Sequence, residues 1–303
     1  RALFDRAGVN PSKIRTVEDL RRVPFTSKRD LLPTENQPQR FRDFILQPDP
    51  DSLKAAWPLT RKLPLLLRSW LQGKAAVKER LRREFYPSFM TFTTGRSAEP
   101  VPFFFSPHDL RILHRAGRRL IDVLEVEPDV RIGNVFPYAP HLAFWQVGCA
   151  GCEKGLMVLS TGGGRVMGSA GDLRALVRTR AQVLLGVPGY IYHLLRRAAA
   201  EGHDLSTVQK VVLGAERVPP GMKDKIRALL QECGAGEVQV LGTYGFTEAR
   251  MAFAEAPTPD GSPTGYYCYP DFAIFEVIAP VSGEVLGPGE EGELVITPIG
   301  GRA

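Results

Sequence analysis

From residue 155 onward, short apolar runs alternate with stretches of helical period. Residues 155–160, 181–187, 208–213 and 237–241 are strand-like, and the stretches 172–179, 190–200 and 220–232 between them carry helical patterning, with Pro220 suited to a first helical turn. Strands alternating with helices in this way read as successive β–α units, whose right-handed crossovers build a mostly parallel sheet with flanking helices. The segments Thr161-Gly162-Gly163-Gly164-Arg165, Val187-Pro188-Gly189, Gly214-Ala215-Glu216 and Tyr244-Gly245-Phe246-Thr247-Glu248 each follow a strand's C-terminal end. Open α/β sheets bind ligands at that edge, so these loops are predicted to converge on one cleft.

The pattern differs at both flanks. After Pro270, the runs 272–278 and 293–297 are separated by Gly283, Gly287, Pro288, Gly289 and Gly292 with no helical stretch, which predicts a small antiparallel β subdomain. Near the start, Val17 to Leu20 begin a short helix that Pro24 stops, and Thr26 or Ser27 caps a second. Residues 54–83 set Trp57, Leu65, Leu66, Leu67, Trp70 and Leu71 among nine basic side chains and one acid. Such a helix is either a solvated face over the core or a basic amphipathic surface for an anionic membrane; the first is the expectation. The chain thus divides into an N-terminal helical segment (1–90), an α/β core (91–270) and the start of a β-rich subdomain (271–303).

Composition narrows the class. With 303 residues, 44% hydrophobic and 24% charged, the chain has the means to bury a core as one large or two ordinary domains. Its net charge of +6 is uneven: +9 over residues 1–90, +4 over 91–253 and −7 over 254–303. A pI near 9.2 admits a polyanionic partner, but there is no basic–aromatic recognition module, so nucleic acid is not expected. Four cysteines are too few for a disulfide scaffold, which makes a reducing cytoplasm the expected compartment. The uncharged run 132–152 contains Asn134, Pro137, Pro140, His141 and Gln146, so no integral membrane segment is expected. The oligomeric state is open, a homodimer included.

Candidate chemistry lies in a few clusters. Thr93-Thr94-Gly95-Arg96-Ser97 combines exposed amides, hydroxyls and a guanidinium that can bind a polyphosphate, or it is an ordinary turn. The segment Tyr244 to Glu248 offers an aromatic face for a nucleobase, a hydroxyl for phosphate and a carboxylate for Mg²⁺; alternatively Thr247 caps a helix with Glu248 in its first turn. Cys149 and Cys152 have CxxC spacing, but small buried thiols are expected rather than zinc ligands. His141 sits in an aromatic-rich loop, Pro137 to Trp145, as a substrate contact or a satisfied core histidine. There is no P-loop, GxSxG or HExxH pattern, and the Gly162-Gly163-Gly164 run does not make GxGxxG, since Met167 stands where the last glycine would be needed.

Taken together and in order, Thr93-Thr94-Gly95, Gly214-Ala215-Glu216, Tyr244-Gly245-Phe246-Thr247-Glu248 and Gly292-Glu293-Leu294-Val295-Ile296-Thr297 resemble the adenylate-forming (acyl-CoA synthetase) superfamily. More narrowly, the chain is similar to the phenylacetate-CoA ligase family, as its opening segment from Ile14 to Lys28 and the stretch from Gly283 to Val295 also indicate. The resemblance implies the family's large N-terminal domain, with residues 91–270 binding nucleotide and acyl group, and ATP-dependent activation of an aryl or otherwise apolar carboxylic acid followed by transfer to coenzyme A. Thr93, Thr94 and Gly95, with Arg96 and Ser97, would hold the β- and γ-phosphates of ATP. Gly214, Ala215 and Glu216 would border the adenine, and Tyr244, Gly245 and Phe246 would line the nucleotide, Tyr244 against the base. Thr247 would contact the α-phosphate and Glu248 would bind Mg²⁺, the two forming the catalytic pair. Tyr138, His141, Phe144 and Gly245 would line the acyl pocket.

The chain departs from the family at Phe92, where a glycine is usual before Thr-Thr-Gly, and at Arg96, where lysine is usual. A bulky residue at 92 works against close backbone approach to phosphate. Opening on Arg1 and stopping at Ala303, before the family's ribose-binding Asp and its C-terminal lid with a catalytic Lys, the chain is expected to be a fragment, incomplete for thioester formation. An adenylating homologue that uses a carrier protein or other acceptor, or a non-catalytic homologue, are the alternatives.

Overall fold

The computed structural model of the protein describes residues 4–5, 7–93, 100–138 and 141–301. The N-terminal segment holds short helical pieces, as predicted. A 3-10 turn spans Glu18–Arg22, and helix α1 (Lys28–Leu31) starts on a capping box in which Ser27 N–H donates to Asp30 at 2.8 Å. Helix α2 (Pro50–Ala56) is capped by Asp49 and leads into the long helix α3 (Leu59–Phe85), along which only Phe85 is buried. The expectation of a solvated helix over the core fails here: Leu59, Leu63, Leu66, Leu67, Trp70 and Leu71 are all exposed. Periodicity identifies an apolar stripe but carries no information on which way it faces.

A hairpin of β1 (Phe89–Phe92) and β2 (Pro102–Phe105) precedes helix α4 (Pro107–Val123), which begins on a second capping box between Ser106 and Asp109. The α/β core then runs β3 (Arg131–Asn134), α5 (Leu142–Lys154), β4 (Met157–Ser160), α6 (Gly168–Thr179), β5 (Val183–Gly186), α7 (Pro188–Glu201), β6 (Lys210–Leu213), α8 (Pro220–Glu232), β7 (Gln239–Phe246) and β8 (Met251–Ala254). These strands form a six-stranded sheet in the order β4-β3-β5-β6-β7-β8, parallel except for β8, which pairs antiparallel with β7.

Each of the four predicted strands is present. β3 was not visible in the sequence, because Arg131-Ile132-Gly133-Asn134 offers a single large apolar residue. α6 and α7 start earlier than the apolar period indicates, at Gly168 and at Pro188, the latter an N1 proline. β7 continues through Phe246, so Tyr244 and Gly245 are strand residues paired with Phe253 and Ala252 rather than loop residues.

Alternation along the strands divides the core into two layers. Leu184, Val211, Leu213 and Val240 face α6, α7 and α8 through Leu176, Leu195 and Ile226. Val183, Leu185, Val212 and Leu241 face α4 and α5 through Ile121 and Val147. The predicted antiparallel subdomain is β9 (Ala273–Ile278) paired with β10 (Glu293–Pro298). It docks through Phe272, Ala273, Phe275 and Ile296 onto Ala116, Phe253 and Tyr269.

Connections from β3 run outward to β4 and then back across to β5, so strand order reverses beside β3. That reversal leaves a crevice at the carboxyl ends of β3 and β5, the position where open α/β sheets take ligands.

Candidate functional site

The chain leaving β3 is bent by Asn134, which is fully buried. Its amide donates to Phe144 O and Ser160 Oγ, both at 3.1 Å, and its carbonyl accepts Phe136 N–H at 3.2 Å. This one side chain joins the exits of β3 and β4 to the start of α5. Tyr138 N–H then donates to Gly162 O at 3.1 Å, which brings the glycine-rich loop after β4 alongside. Tyr190, in the first turn of α7, donates to Asp172 at 2.7 Å, and its burial beside that carboxylate raises its ionisation above the usual tyrosine range. On the other side, the carboxylate of Glu216 lies beside Gly189. The loops after β3, β4, β5 and β6 therefore meet, in keeping with their positions at strand ends.

Gly214 closes this edge. It is buried, and a Cβ there would sit 2.4 Å from Thr243 Oγ1 and 3.4 Å from the Phe136 ring. The Thr243 hydroxyl in turn donates to Leu213 O at 3.0 Å. Ala215, with φ of 68°, and Glu216 turn outward and are exposed. Next to them, Tyr244 is 42% exposed, its ring 5.9 Å from Phe246 and 5.8 Å from Tyr266. Sequence reasoning missed Tyr266, which lies 22 residues away with no motif around it. Burial, aided by the Glu255 carboxylate, pushes its phenol above the usual range.

Gly245 faces β8 so closely that a Cβ would lie 2.8 Å from Ala252 Cβ and 2.9 Å from Met251 O. This contact accounts for the glycine through strand pairing. Beyond Phe246 the chain makes a three-residue 3-10 turn, Thr247–Ala249, so Thr247 opens this turn and caps no longer helix. The Glu248 carboxylate is half-buried and has no hydrogen-bond or ion-pair partner among the described residues. The described residues hold no cluster of three His, Cys, Asp or Glu side chains that could bind a metal. A single unpaired carboxylate next to a hydroxyl suits Mg²⁺, which takes one or two protein carboxylates and completes its shell with phosphate oxygens and water.

The aromatic residues assigned to the acyl side also assemble. Tyr138 meets Phe144 at 5.2 Å and Trp145 at 6.0 Å, and Trp145 meets Phe89 of β1 at 5.6 Å. The aromatic-rich loop is shorter than expected, since α5 begins at Leu142 and carries Phe144 and Trp145 in its first turn. His141 stands as N-cap residue, and its Nδ1 is buried with no partner among the described residues, which argues against a satisfied core histidine. Phe136 connects this cluster to Gly214.

Thr93 closes the β1–β2 hairpin: its N–H donates to Val101 O at 3.1 Å and its hydroxyl accepts Val101 N–H at 3.2 Å. Phe92 belongs to β1, paired with Pro102. Thr94, Gly95, Arg96 and Ser97 lie outside the described residues. Of the CxxC pair, Cys149 is half-buried but Cys152 is exposed, so the expectation of two buried thiols fails; the spacing places them on one helix, α5.

Two ion pairs brace the site, and neither was legible beforehand. Glu255 accepts Gly242 N–H and Lys223 Nζ–H, the latter at 2.6 Å, so α8 is tied to the middle of β7. Arg250 pairs with Asp109 at 3.1 Å and stacks on Phe105 at 5.3 Å. Desolvation lowers the Arg250 pKa, partly offset by the aspartate. An open cleft of about 1540 Å³ begins at Phe246, Glu248 and Arg250 and extends between Lys28, Arg40 and the β9–β10 hairpin.

Residues 112–300 match the family described as AMP-binding enzyme. The chain is 25% identical over 303 residues to a phenylacetate-coenzyme A ligase of Thermus thermophilus, covering 99% of this chain and 56% of that protein. It is 23% identical to a phenylacetate-coenzyme A ligase of Pseudomonas putida, covering 100% of this chain and 58% of the relative. The chain thus spans a little over half the length of these relatives. Among solved structures, 2-hydroxyisobutyryl-CoA ligase in complex with 2-HIB-AMP and CoA superposes with a TM-score of 0.73 at 19% identity, over 100% of this chain and 56% of that one, which establishes the shared fold. No helix among the described residues is long and apolar enough to cross a membrane.

Proposed function

Because the chain belongs to the AMP-binding enzyme family, we propose that it is the nucleotide- and acyl-binding part of an ATP-dependent acid:CoA ligase of the phenylacetate-CoA ligase type. The observation that supports this reading is the packing of Gly214 against Thr243 and Phe136 at the end of β6, with Tyr244 next along β7, Thr247 and Glu248 in the turn that follows it, and a Tyr138–Phe144–Trp145 aromatic cluster.

In the first step a carboxylate oxygen of the acid attacks the α-phosphorus of ATP, the α–β anhydride bond breaks and pyrophosphate leaves. Tyr244 lies against the adenine, bordered by Gly214, Ala215 and Glu216 and flanked by Phe246. Thr247 donates to the α-phosphate. Thr93 closes the β1–β2 hairpin, and Thr94, Gly95, Arg96 and Ser97 hold the outgoing phosphates. Glu248 would hold Mg²⁺, which when bound would supply positive charge where one anion approaches a polyanion. Tyr138, His141 and Phe144 take the apolar acid, with His141 Nδ1 available to it. In the second step the thiol of coenzyme A attacks the acyl carbon, the bond to the phosphate oxygen breaks and AMP leaves.

Pyrophosphate exchange on the full-length protein with aryl and alkyl acids tests the reading. Exchange with at least one acid, lost in Glu248→Ala, is expected. Absence of exchange with every acid, or exchange unchanged in Glu248→Ala, overturns it.

A further inference from the structure

Helix α3 is bent at Gly73, where φ is 82°, and its first half stands nearly clear of the protein. Leu59, Leu63, Leu66, Leu67, Trp70 and Leu71 recur at helical spacing and form one stripe. Their exposures run from 57% at Leu67 to 81% at Trp70. The less exposed positions are Lys62, Leu65, Arg68 and Ser69, which at 100° per residue fall roughly 150° round the helix from the stripe. An amphipathic surface helix ordinarily turns its apolar face to the core. This one turns it to water, so the stripe calls for a partner outside the described protein.

Charge identifies that partner. Lys62 borders one edge of the stripe, Arg61 and Arg68 lie beyond the other, and Lys74, Lys78 and Arg80 continue past the bend. Over residues 54–83 the only acid is Glu79. A second copy of this surface would set like charges against one another. A sheet of anionic headgroups over an apolar interior complements both features, and Trp70, the most exposed of the six, is the side chain best suited to the headgroup boundary. We propose that the first half of α3 is a docking surface for an anionic lipid bilayer, lying on the membrane without crossing it.

Co-sedimentation of the full-length protein with vesicles tests this. Phosphatidylcholine vesicles with about one-third phosphatidylglycerol should bind it at least about tenfold more tightly than pure phosphatidylcholine, and raised salt should weaken the binding. Leu66→Glu/Trp70→Glu should abolish vesicle binding with melting temperature and pyrophosphate exchange unchanged. Three results overturn the proposal: no preference for anionic vesicles, vesicle binding unaffected by Leu66→Glu/Trp70→Glu, or a stable dimer that this variant converts to monomer, which would assign the stripe to self-association.

Discussion

The guanidinium of Arg250 lies 3.1 Å from the buried carboxylate of Asp109, so the residue that follows the Thr247–Ala249 turn is tied to the first turn of α4. Asp109 is already the reciprocal partner of Ser106 in the capping box, accepting its N–H at 2.8 Å. One carboxylate thus fixes both the start of a helix and the exit from the Thr247-Glu248 motif. Arg250→Met should destabilise the fold by about 3 kcal/mol, because it strips the counter-charge from a buried aspartate. Asp109→Asn/Arg250→Met should recover part of that loss. Urea denaturation of the single and double variants measures both.

The Lys223–Glu255 pair makes a separable prediction. Glu255 accepts the N–H of Gly242 from a position 8% exposed, and Lys223 balances its charge. Glu255→Gln should shift β7 and its Tyr244 relative to the acyl cluster. Pyrophosphate exchange at low ATP is expected to fall about tenfold, equivalent to roughly 1.4 kcal/mol, with a smaller change at saturating ATP. Equal losses at both concentrations would place the effect on the chemical step.

Tyr244 should act through its ring. Packed against Phe246 and Tyr266 yet 42% exposed, it has one face to offer a base. Tyr244→Phe should leave ATP affinity within about twofold and Tyr244→Ala should weaken it by about tenfold, in line with the 1–3 kcal/mol of base–aromatic stacking. Calorimetric titration with ATP distinguishes the two variants.

The sequence conveyed some of these features and could not convey others. The four apolar runs, the parallel order and the convergence of their loops were legible because burial on both sheet faces leaves continuous apolar runs. Strand β3 was not, since Gly133 packs against Leu176 where a side chain would otherwise advertise burial. Phe144 and Trp145 read as loop residues because α5 carries no charge before Glu153 and so shows little contrast between its faces. Glu255 and Arg250 act through partners at least ten residues away, as does the Asn134 amide, and no local spacing encodes such pairs. The outward stripe of α3 is the opposite case: its period was plain and its direction was not.

Alkaline pH should act on Tyr190. Its folded-state pKa is raised above the reference value of 10.0 by burial and by donation to Asp172, so the folded state holds this proton more tightly than the unfolded state. Stability from this contact is complete below pH 10 and is lost as pH rises above it. Tyr190→Phe should be less stable at neutral pH, because Asp172 loses its donor, and should show a shallower decline above pH 10. Thermal melts from pH 7 to about 11 read both effects.

Gly245 supplies a steric test of the β7–β8 pairing that holds Tyr244. In Gly245→Ala the new methyl would lie 2.8 Å from Ala252 Cβ and 2.9 Å from both Ala252 Cα and Met251 O, two of these backbone atoms that cannot rotate away. Overpacking of this kind costs about 1–3 kcal/mol, and β8 must move off β7 to relieve it. Exchange activity should therefore fall together with stability. Gly221→Ala is the matched control: the added methyl meets nothing within 4 Å, and the site lies in the first turn of α8. There, replacing glycine should stabilise by about 0.5 kcal/mol through the lower backbone entropy of the unfolded chain, with activity unchanged. If both variants lost activity equally, the crowding at Gly245 would not be the cause, and the pairing of β7 with β8 would not be what positions Tyr244.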